Sequence, residues 1–184
     1  MNINLSDEFR AIISCARDEA MRTGHYGIGA DHLMLAILRQ RNCPACALLR
    51  EQGLNLEEFK LHIDRQIFRD RAIPYYDSDR VRPTRTAAGV ISLAAYESLR
   101  GGQNAISAAH LLLAISRAED SASRAYLAEH GLGYNALKAL LSENGLLSPT
   151  GGGAQPKMED ITAALGEQLS RLFSESGSGT NYLS

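Results

Sequence analysis

The stretch that decides the fold occurs twice, first as Ile28-Gly29-Ala30-Asp31-His32-Leu33-Met34-Leu35-Ala36-Ile37 and again as Ile106-Ser107-Ala108-Ala109-His110-Leu111-Leu112-Leu113-Ala114-Ile115. The two copies lie 78 residues apart, and the same offset aligns residues 5–63 with residues 83–141 without a gap. Of those 59 aligned pairs, 20 are identical. A gapless match of this length indicates that one supersecondary unit has been duplicated.

The periodicity predicts four helices in each unit. The first begins after an N-cap hydroxyl, Ser6 or Thr84, which can accept a hydrogen bond from a free backbone N–H, and Gly24 ends it in unit one. The second carries the repeated stretch, the third is expected near 44–52 and 122–130, and the fourth near 56–68 and 134–142. Alternation at period two is missing, so no sheet is expected. The sequence therefore predicts an all-α fold of two tandem four-helix repeats that pack face to face.

The segments outside the helices define the domain organisation. Unit one is expected to span 5–68 and unit two 83–142, within a double repeat covering 1–147. The mixed-charge segment 69–82 between them is predicted to be a surface strap that Tyr75 and Tyr76 anchor, with contact to a partner as the alternative. Residues 148–157 are predicted to be a Gly/Pro linker, and 175–184 a disordered Ser/Gly tail.

Between the linker and the tail, apolar residues recur at helical spacing and predict an amphipathic helix over 158–174. They are Met158, Ile161, Leu165, Leu169, Leu172 and Phe173. This apolar stripe has two possible partners, its own domain or another protein, and the pattern does not choose between them. A self-assembling protein that pairs through this helix is therefore one alternative function.

Composition excludes several classes of protein. Hydrophobic residues make up 45% of the chain, the net charge is −2 and the pI is about 6.2, so no global basic field attracts nucleic acid or anionic lipid. No segment approaches the ~18 apolar residues needed to span a bilayer, and residues 1–7 do not resemble a signal peptide. We expect a cytoplasmic protein that binds neither nucleic acid nor membrane.

Catalytic motifs are equally sparse. Cys43-Pro44-Ala45-Cys46 is a C-x-x-C, and a redox-active protein built on this pair is a second alternative function, although no strand precedes it as in thioredoxin-like proteins. His32 and His110 are expected to be packed, hydrogen-bonded histidines rather than metal ligands. The glycines at 151–153 and Lys157 lack the spacing of a phosphate-binding loop. The prediction is a protein without catalytic residues, metal or cofactor.

The repeated stretch resembles the Clp N-terminal repeat of the ClpA, ClpB and ClpC ATPases, in which each unit carries Ile-Gly-Thr-Glu-His-Leu-Leu-Leu-Gly-Leu after a Gly-His turn. The resemblance covers about 5–142. It implies a pseudo-two-fold, all-α domain that binds unfolded or tagged substrate proteins or adaptor proteins for an ATP-driven unfoldase, or docks onto Clp ATPase or peptidase subunits. The ATPase modules are not in this sequence, so the chain is expected to be either a stand-alone member of the family or a piece of a larger one. The segment after residue 147 does not resemble the beginning of a nucleotide-binding domain, which favours the stand-alone member.

The same resemblance places the candidate binding surface in the groove between the units, at the turns 24–31 and 102–109. The candidate protein-binding residues are His25, Gly29, Ala30, Asp31, Ser107 and Ala109. In ClpC-like domains, the glutamates of the repeat resemble a guanidinium-binding carboxylate in a site for phosphorylated arginine. Asp31 keeps a carboxylate there and Ala109 cannot pair a cation, so at most one of two such sites is expected. The alternative role for Asp31 is an acidic residue that favours a helix's first turn.

Overall fold

The computed structural model describes residues 3–102, 105–147 and 157–181, with side chains up to Phe173. The predicted helical fold class is confirmed. The helices of unit one are α1 (Asp7–Arg22), α2 (Ala30–Arg39), α3 (Pro44–Glu51) and α4 (Leu56–Ile67), and those of unit two are α5 (Arg85–Arg100), α6 (Ala108–Ile115), α7 (Ala122–Glu129) and α8 (Tyr134–Glu143). Each helix of unit two begins 78 residues after its counterpart in unit one.

Local sequence signals explain where the first helix of each unit begins and where α1 ends. Ser6 Oγ accepts a hydrogen bond from the Phe9 amide at 3.1 Å, and Thr84 Oγ1 accepts one from the Ala87 amide at the same distance, so both predicted caps are present. Gly24 ends α1 at φ +85°, where an L side chain is strained. A Cβ there would also lie 2.5 Å from the carbonyl oxygen of Arg71, so this position has room only for glycine.

In the described residues, four two-residue strands join the units, which corrects the expectation that the chain contains no sheet. They are β1 (Asn4–Leu5), β2 (Gly27–Ile28), β3 (Arg82–Pro83) and β4 (Ala105–Ile106). β1 pairs in parallel with β4, and β2 with β3, so the start of each unit pairs with the turn of the other unit. Two-residue strands are too short to show alternation, which is why the pattern missed them. Their reciprocal pairing supports the expected pseudo-two-fold relation.

The core is built around the two copies of the repeated stretch. All residues of α6 are buried, as is α2 except at Asp31 and Arg39, because α1 and α5 cover them and they contact each other. Phe59 of α4 stacks on Tyr126 of α7 with ring centroids 4.3 Å apart, so these two helices form a further contact between unit one and unit two.

Part of the segment between the units forms a 3-10 helix, Tyr75–Arg80, which the pattern did not predict. Ser78 and Val81 are buried and anchor it. Tyr75 and Tyr76 are 62% and 83% exposed, so the prediction that these two side chains anchor the segment was wrong. Ser78 within the 3-10 helix and Val81 directly after it face inward, while Tyr75 and Tyr76 at its start face solvent.

A last helix, α9 (Met158–Asn181), packs on α5 and on the 3-10 helix. Its apolar stripe docks on its own domain, since Ile161, Leu165, Leu169 and Phe173 are all buried. Gln168 Nε2 also donates a 2.6 Å hydrogen bond to the carbonyl of Ile3.

The helix α9 starts where it was predicted but continues to Asn181, beyond the expected end at 174 and into the segment 175–184 that was expected to be disordered. Once a helix is nucleated, each further residue adds a hydrogen bond, which favours continuation. Residues 148–156 of the predicted linker and 182–184 of the predicted tail lie outside the described residues. None of the helices in the described ranges combines the length and apolar character needed to cross a bilayer.

Candidate protein-binding site

The two repeat histidines, His32 and His110, cap their own helices. Both are buried and hydrogen-bonded, as the sequence analysis predicted. His32 Nδ1 accepts the Gly29 amide proton at 2.9 Å, and His110 Nδ1 accepts that of Ser107 at 3.0 Å. His32 Nε2 lies 2.9 Å from Thr23 Oγ1, whose own proton has an acceptor in the Glu19 carbonyl at 2.8 Å. Nε2 of His32 is therefore the protonated nitrogen of a neutral ring. Burial lowers the pKa of each histidine to about 4.

Asp31 ties the two units together. Its Oδ1 accepts hydrogen bonds from Ser121 Oγ at 3.0 Å and from the amide and hydroxyl of Ser123 at 2.9 and 2.6 Å. Its Oδ2 accepts the Ala122 amide proton at 3.2 Å. The carboxylate of unit one thus caps the N-terminus of α7 in unit two, where the helix dipole favours negative charge. The carboxylate already accepts four hydrogen bonds from the start of α7, which is a different role from the guanidinium pairing that the resemblance implied.

The other predicted site residues also lie at the junction between the units. Ala30 and Ala109 are 6% and 4% exposed, so these two side chains face the core and cannot contact a partner in this structure. Gly29 and Ser107 are half-buried N-caps, and His25 Nε2 lies 2.7 Å from the Ile67 carbonyl. The strands β2 and β4, which belong to these two turns, each pair with the start of the opposite unit.

An exposed aromatic surface lies beside the first turn, and we call Tyr26, Tyr75 and Tyr76 the tyrosine surface. Tyr26 is 41% exposed and donates a 2.7 Å hydrogen bond to Asp77 Oδ2, which raises the pKa of Tyr26. The guanidinium of Arg80 lies 4.9 Å from the centre of the same ring. These contacts hold the 3-10 helix against the first turn, so its two exposed tyrosines have a defined place.

Other exposed apolar side chains lie close to this surface in the chain. Leu61 and Phe68 of unit one are 50% and 54% exposed, and Phe68 caps the end of α4, which His25 contacts through the Ile67 carbonyl. Of the six large hydrophobic side chains exposed in the described part of the chain, five belong to unit one or to the 3-10 helix, and Met158 is the sixth. The sequence signal was the Tyr75-Tyr76 pair in a polar segment, which we had assigned to anchoring.

The C-x-x-C thiols lie at the start of α3, with Cys43 as the N-cap. The Cys46 thiol donates a 3.2 Å hydrogen bond to the carbonyl of Ile37. The contact with the Cys46 side chain, helped by amides of the helix N-terminus, lowers the pKa of Cys43 to about 7, while the same contact and burial raise the pKa of Cys46. All three cysteines are free and buried, and no three potential metal ligands cluster within the described residues.

These features define a class: a helical double-repeat domain whose units interlock through reciprocal strand pairs and histidine-capped core helices. The model of the Clp repeat N-terminal domain matches residues 4–130, and the chain belongs to this family. The family predicted from the repeated stretch is thereby confirmed.

The similar curated proteins are Clp proteins. One is the negative regulator of genetic competence ClpC/MecB of Bacillus subtilis, 25% identical over 130 residues, which cover 71% of this chain and 16% of the relative. Another is the chloroplastic chaperone protein ClpC1 of Arabidopsis thaliana, 23% identical over 169 residues, which cover 89% of this chain and 18% of the relative. The chain thus spans less than a fifth of the length of these two relatives.

Solved structures show the same fold. The N-terminal domain of Hsp104 from Candida albicans superposes with a TM-score of 0.63 at 18% identity, covering 79% of this chain and 94% of that domain. The N-terminal domain of the Clp-associated chaperone ClpD from Arabidopsis thaliana gives a TM-score of 0.59 at 16% identity, covering 76% of this chain and 93% of that domain.

Proposed function

We propose that this chain is a non-catalytic module that binds substrate or adaptor proteins for a Clp ATP-dependent chaperone or protease, or docks onto such a machine. The observation that carries the proposal is the tyrosine surface on a domain of the Clp repeat family. Tyrosines offer large contact area at little cost in side-chain entropy and are enriched at protein interfaces.

The surface is organised before any partner arrives. The buried side chains of Ser78 and Val81 anchor the 3-10 helix to the domain, and the hydrogen bond from Tyr26 to Asp77 holds it against the first turn. A partner therefore does not have to order this segment on binding, and that lowers the cost of association.

The two alternative functions have less support. The apolar stripe of α9 is buried on its own domain, so it is not free to pair with a second copy. Redox function at Cys43 and Cys46 would need access to thiols that are 9% and 0% exposed. A phosphoarginine site lacks its carboxylate at Ala109, and Asp31 is engaged by α7. The cytoplasmic location expected from the sequence stays a prediction.

A direct binding assay tests the proposal. Purified chain is immobilised and exposed to reduced, carbamidomethylated lysozyme as an unfolded protein. We expect binding that the double substitution Tyr75→Ser and Tyr76→Ser abolishes. The matched control is Met158→Ser, which removes an exposed apolar side chain outside the tyrosine surface and should leave binding unchanged.

A second experiment identifies the partner class. The tagged chain and its Tyr75→Ser/Tyr76→Ser form are cross-linked in the native cell, and captured proteins are read by mass spectrometry. Clp ATPase or peptidase subunits or adaptors, lost from the variant, support the proposal. Absence of binding in both experiments, or equal capture by both forms, refutes it.

A further inference from the structure

A cleft of about 510 Å³ opens in unit one at the end of α2. Its walls come from the end of α2, from α3, from the first turns of α4 and from the loops that join these helices. Four cationic side chains line it: Arg39, Arg41, Arg50 and Lys60. The one carboxylate is that of Glu57, so the cleft has three excess positive charges on a chain whose net charge is −2. We call it the basic cleft.

The cations of the basic cleft are only partly neutralised. Arg41 pairs with Glu57 at 3.3 Å, and both side chains are mostly exposed. Arg50 donates a 2.7 Å hydrogen bond to the Arg41 carbonyl, which fixes its guanidinium beside the backbone at Arg41. Within the described residues, no carboxylate lies at ion-pair distance from Arg50 or Lys60.

The floor of the cleft is apolar. Leu38 and Leu54 are 6% and 5% exposed, and the half-buried Leu56 lies beside them. Arginine binds carboxylate or phosphate through paired donors, but inorganic phosphate has no apolar part to cover the leucines. The lining contains no aromatic side chain on which a nucleic-acid base would stack. The combination suits a protein segment in which acidic residues flank an apolar one.

The duplicated unit shows that the fold itself does not require this lining. At the positions of Arg41 and Arg50, unit two carries Glu119 and Ala128. At the position of Leu56 it carries Tyr134, whose ring lies 4.6 Å from the guanidinium of Arg117. Unit two thus replaces two cations and stacks a third on a tyrosine, with the same helices in the same order.

We propose that the basic cleft binds an acidic segment of a partner protein, with carboxylates on Arg50 and Lys60 and an apolar side chain on the leucine floor. The inference rests on the protein-binding function proposed above and gives it a partner chemistry. The cleft is formed by α2, α3 and α4 and shares no residue with the tyrosine surface. A partner can therefore be tested at each surface separately.

Fluorescence anisotropy with labelled synthetic peptides on the purified full chain tests the cleft. The probe is Glu-Leu-Glu-Glu-Leu-Glu, and two comparison peptides replace every Glu by Gln or every Leu by Ser. We expect the probe to bind more tightly than both, and to weaken with salt, because the screening length falls from about 10 Å at 0.1 M to about 3 Å at 1 M. Equal binding of the Gln peptide, or equal binding of the Ser peptide with displacement by inorganic phosphate, would overturn the proposal.

Charge substitutions locate the site. Arg50→Glu with Lys60→Glu should weaken probe binding about tenfold or more, because two attractive pairs become repulsive. Lys138→Glu, at the matching position of unit two, should change probe binding less than about twofold, because Lys138 does not line the cleft and a charge outside the site has little effect. Glu57→Gln should tighten binding, an effect that damage to the fold would not produce. Unchanged binding in the double variant overturns the inference.

The two proposals can fail separately. If unfolded lysozyme binds through the tyrosine surface but the affinity of the probe is the same for the charge variants as for the wild type, only the basic-cleft inference fails. If the probe binds as expected while unfolded protein and Clp components do not, the proposed function fails and the cleft remains an acidic-peptide site.

Discussion

Replacing Asp31 with alanine tests whether one carboxylate holds the two units together. The substitution removes the acceptor of two backbone amides and two hydroxyls at the start of α7. Hydrogen bonds to a charged group contribute about 1.5–3 kcal/mol, and an ordinary N-cap about 1 kcal/mol. Asp31 is half-buried, so water replaces part of what is lost. We therefore expect a loss of about 1.5–3 kcal/mol in the free energy of unfolding, which is the range for a charged acceptor.

Urea unfolding followed by far-UV circular dichroism measures this loss. Asp31→Asn keeps one accepting oxygen and should fall between wild type and Asp31→Ala. Asp7→Ala is the matched control, because Asp7 is an exposed acid in the first turn of α1 and loses only its interaction with the helix dipole, about 0.3–1 kcal/mol.

A double-mutant cycle with Ser123→Ala isolates the contact across the units. Ser123 Oγ donates to Asp31 Oδ1 at 2.6 Å, so the coupling energy should exceed about 0.5 kcal/mol. A loss for Asp31→Ala no larger than that for Asp7→Ala, together with zero coupling, would refute the role of Asp31 as a cap across the units.

Three further predictions concern groups inside the fold. His32 and His110 have pKa values lowered from 6.5 to about 4, so the unfolded chain binds more protons between these pH values. Each histidine should therefore contribute roughly 3 kcal/mol to the free energy of unfolding above pH 6.5, and this contribution should disappear as the pH falls toward 4. Urea unfolding across that pH range measures it; ring protons titrating near 6.5 would contradict it. Cys43 is only 9% exposed, so iodoacetamide should alkylate it slowly in the native chain, but because its pKa is about 7 the rate, read by mass spectrometry, should reach half its maximum near pH 7 and exceed that of the other two thiols; equal rates would contradict it. Gly24→Ala should destabilise the chain by more than the ~1–2 kcal/mol of a left-handed alanine, since its Cβ meets a carbonyl, whereas Gly53→Ala has open space and should cost no more than that; equal midpoints of thermal unfolding would contradict it.

Local signals in the sequence predicted the helices well, because the residues that start and end them act on their nearest neighbours. Ser6 and Thr84 each cap the amide three residues ahead, and Gly24 takes the left-handed conformation that ends α1. The offset of 78 residues carried over to the starts of all four helix pairs. The histidines were also predictable, since each caps its own helix within three residues.

Contacts across the units were not predictable in the same way. Asp31 reads locally as an acid in a helix's first turn, yet its partners lie 90 to 92 residues further along the chain. Nothing in the segment 69–82 states that Ser78 and Val81, rather than Tyr75 and Tyr76, face inward. The docking of α9 could not be predicted for the same reason. An apolar stripe indicates that the helix packs against something, but not whether that is its own domain or another protein.

The differences between the two units indicate where binding is concentrated. Positions that shape the backbone are the same in both, as with Gly24 and Gly102 or His32 and His110. In unit two, α9 covers α5, and Tyr134 packs under Arg117. Unit one, with the 3-10 helix, carries five of the six large exposed hydrophobic side chains in the described residues, as well as the basic cleft. Since the shared framework needs neither feature, we expect partners to bind unit one and the adjoining 3-10 helix, which α9 packs against and holds in place.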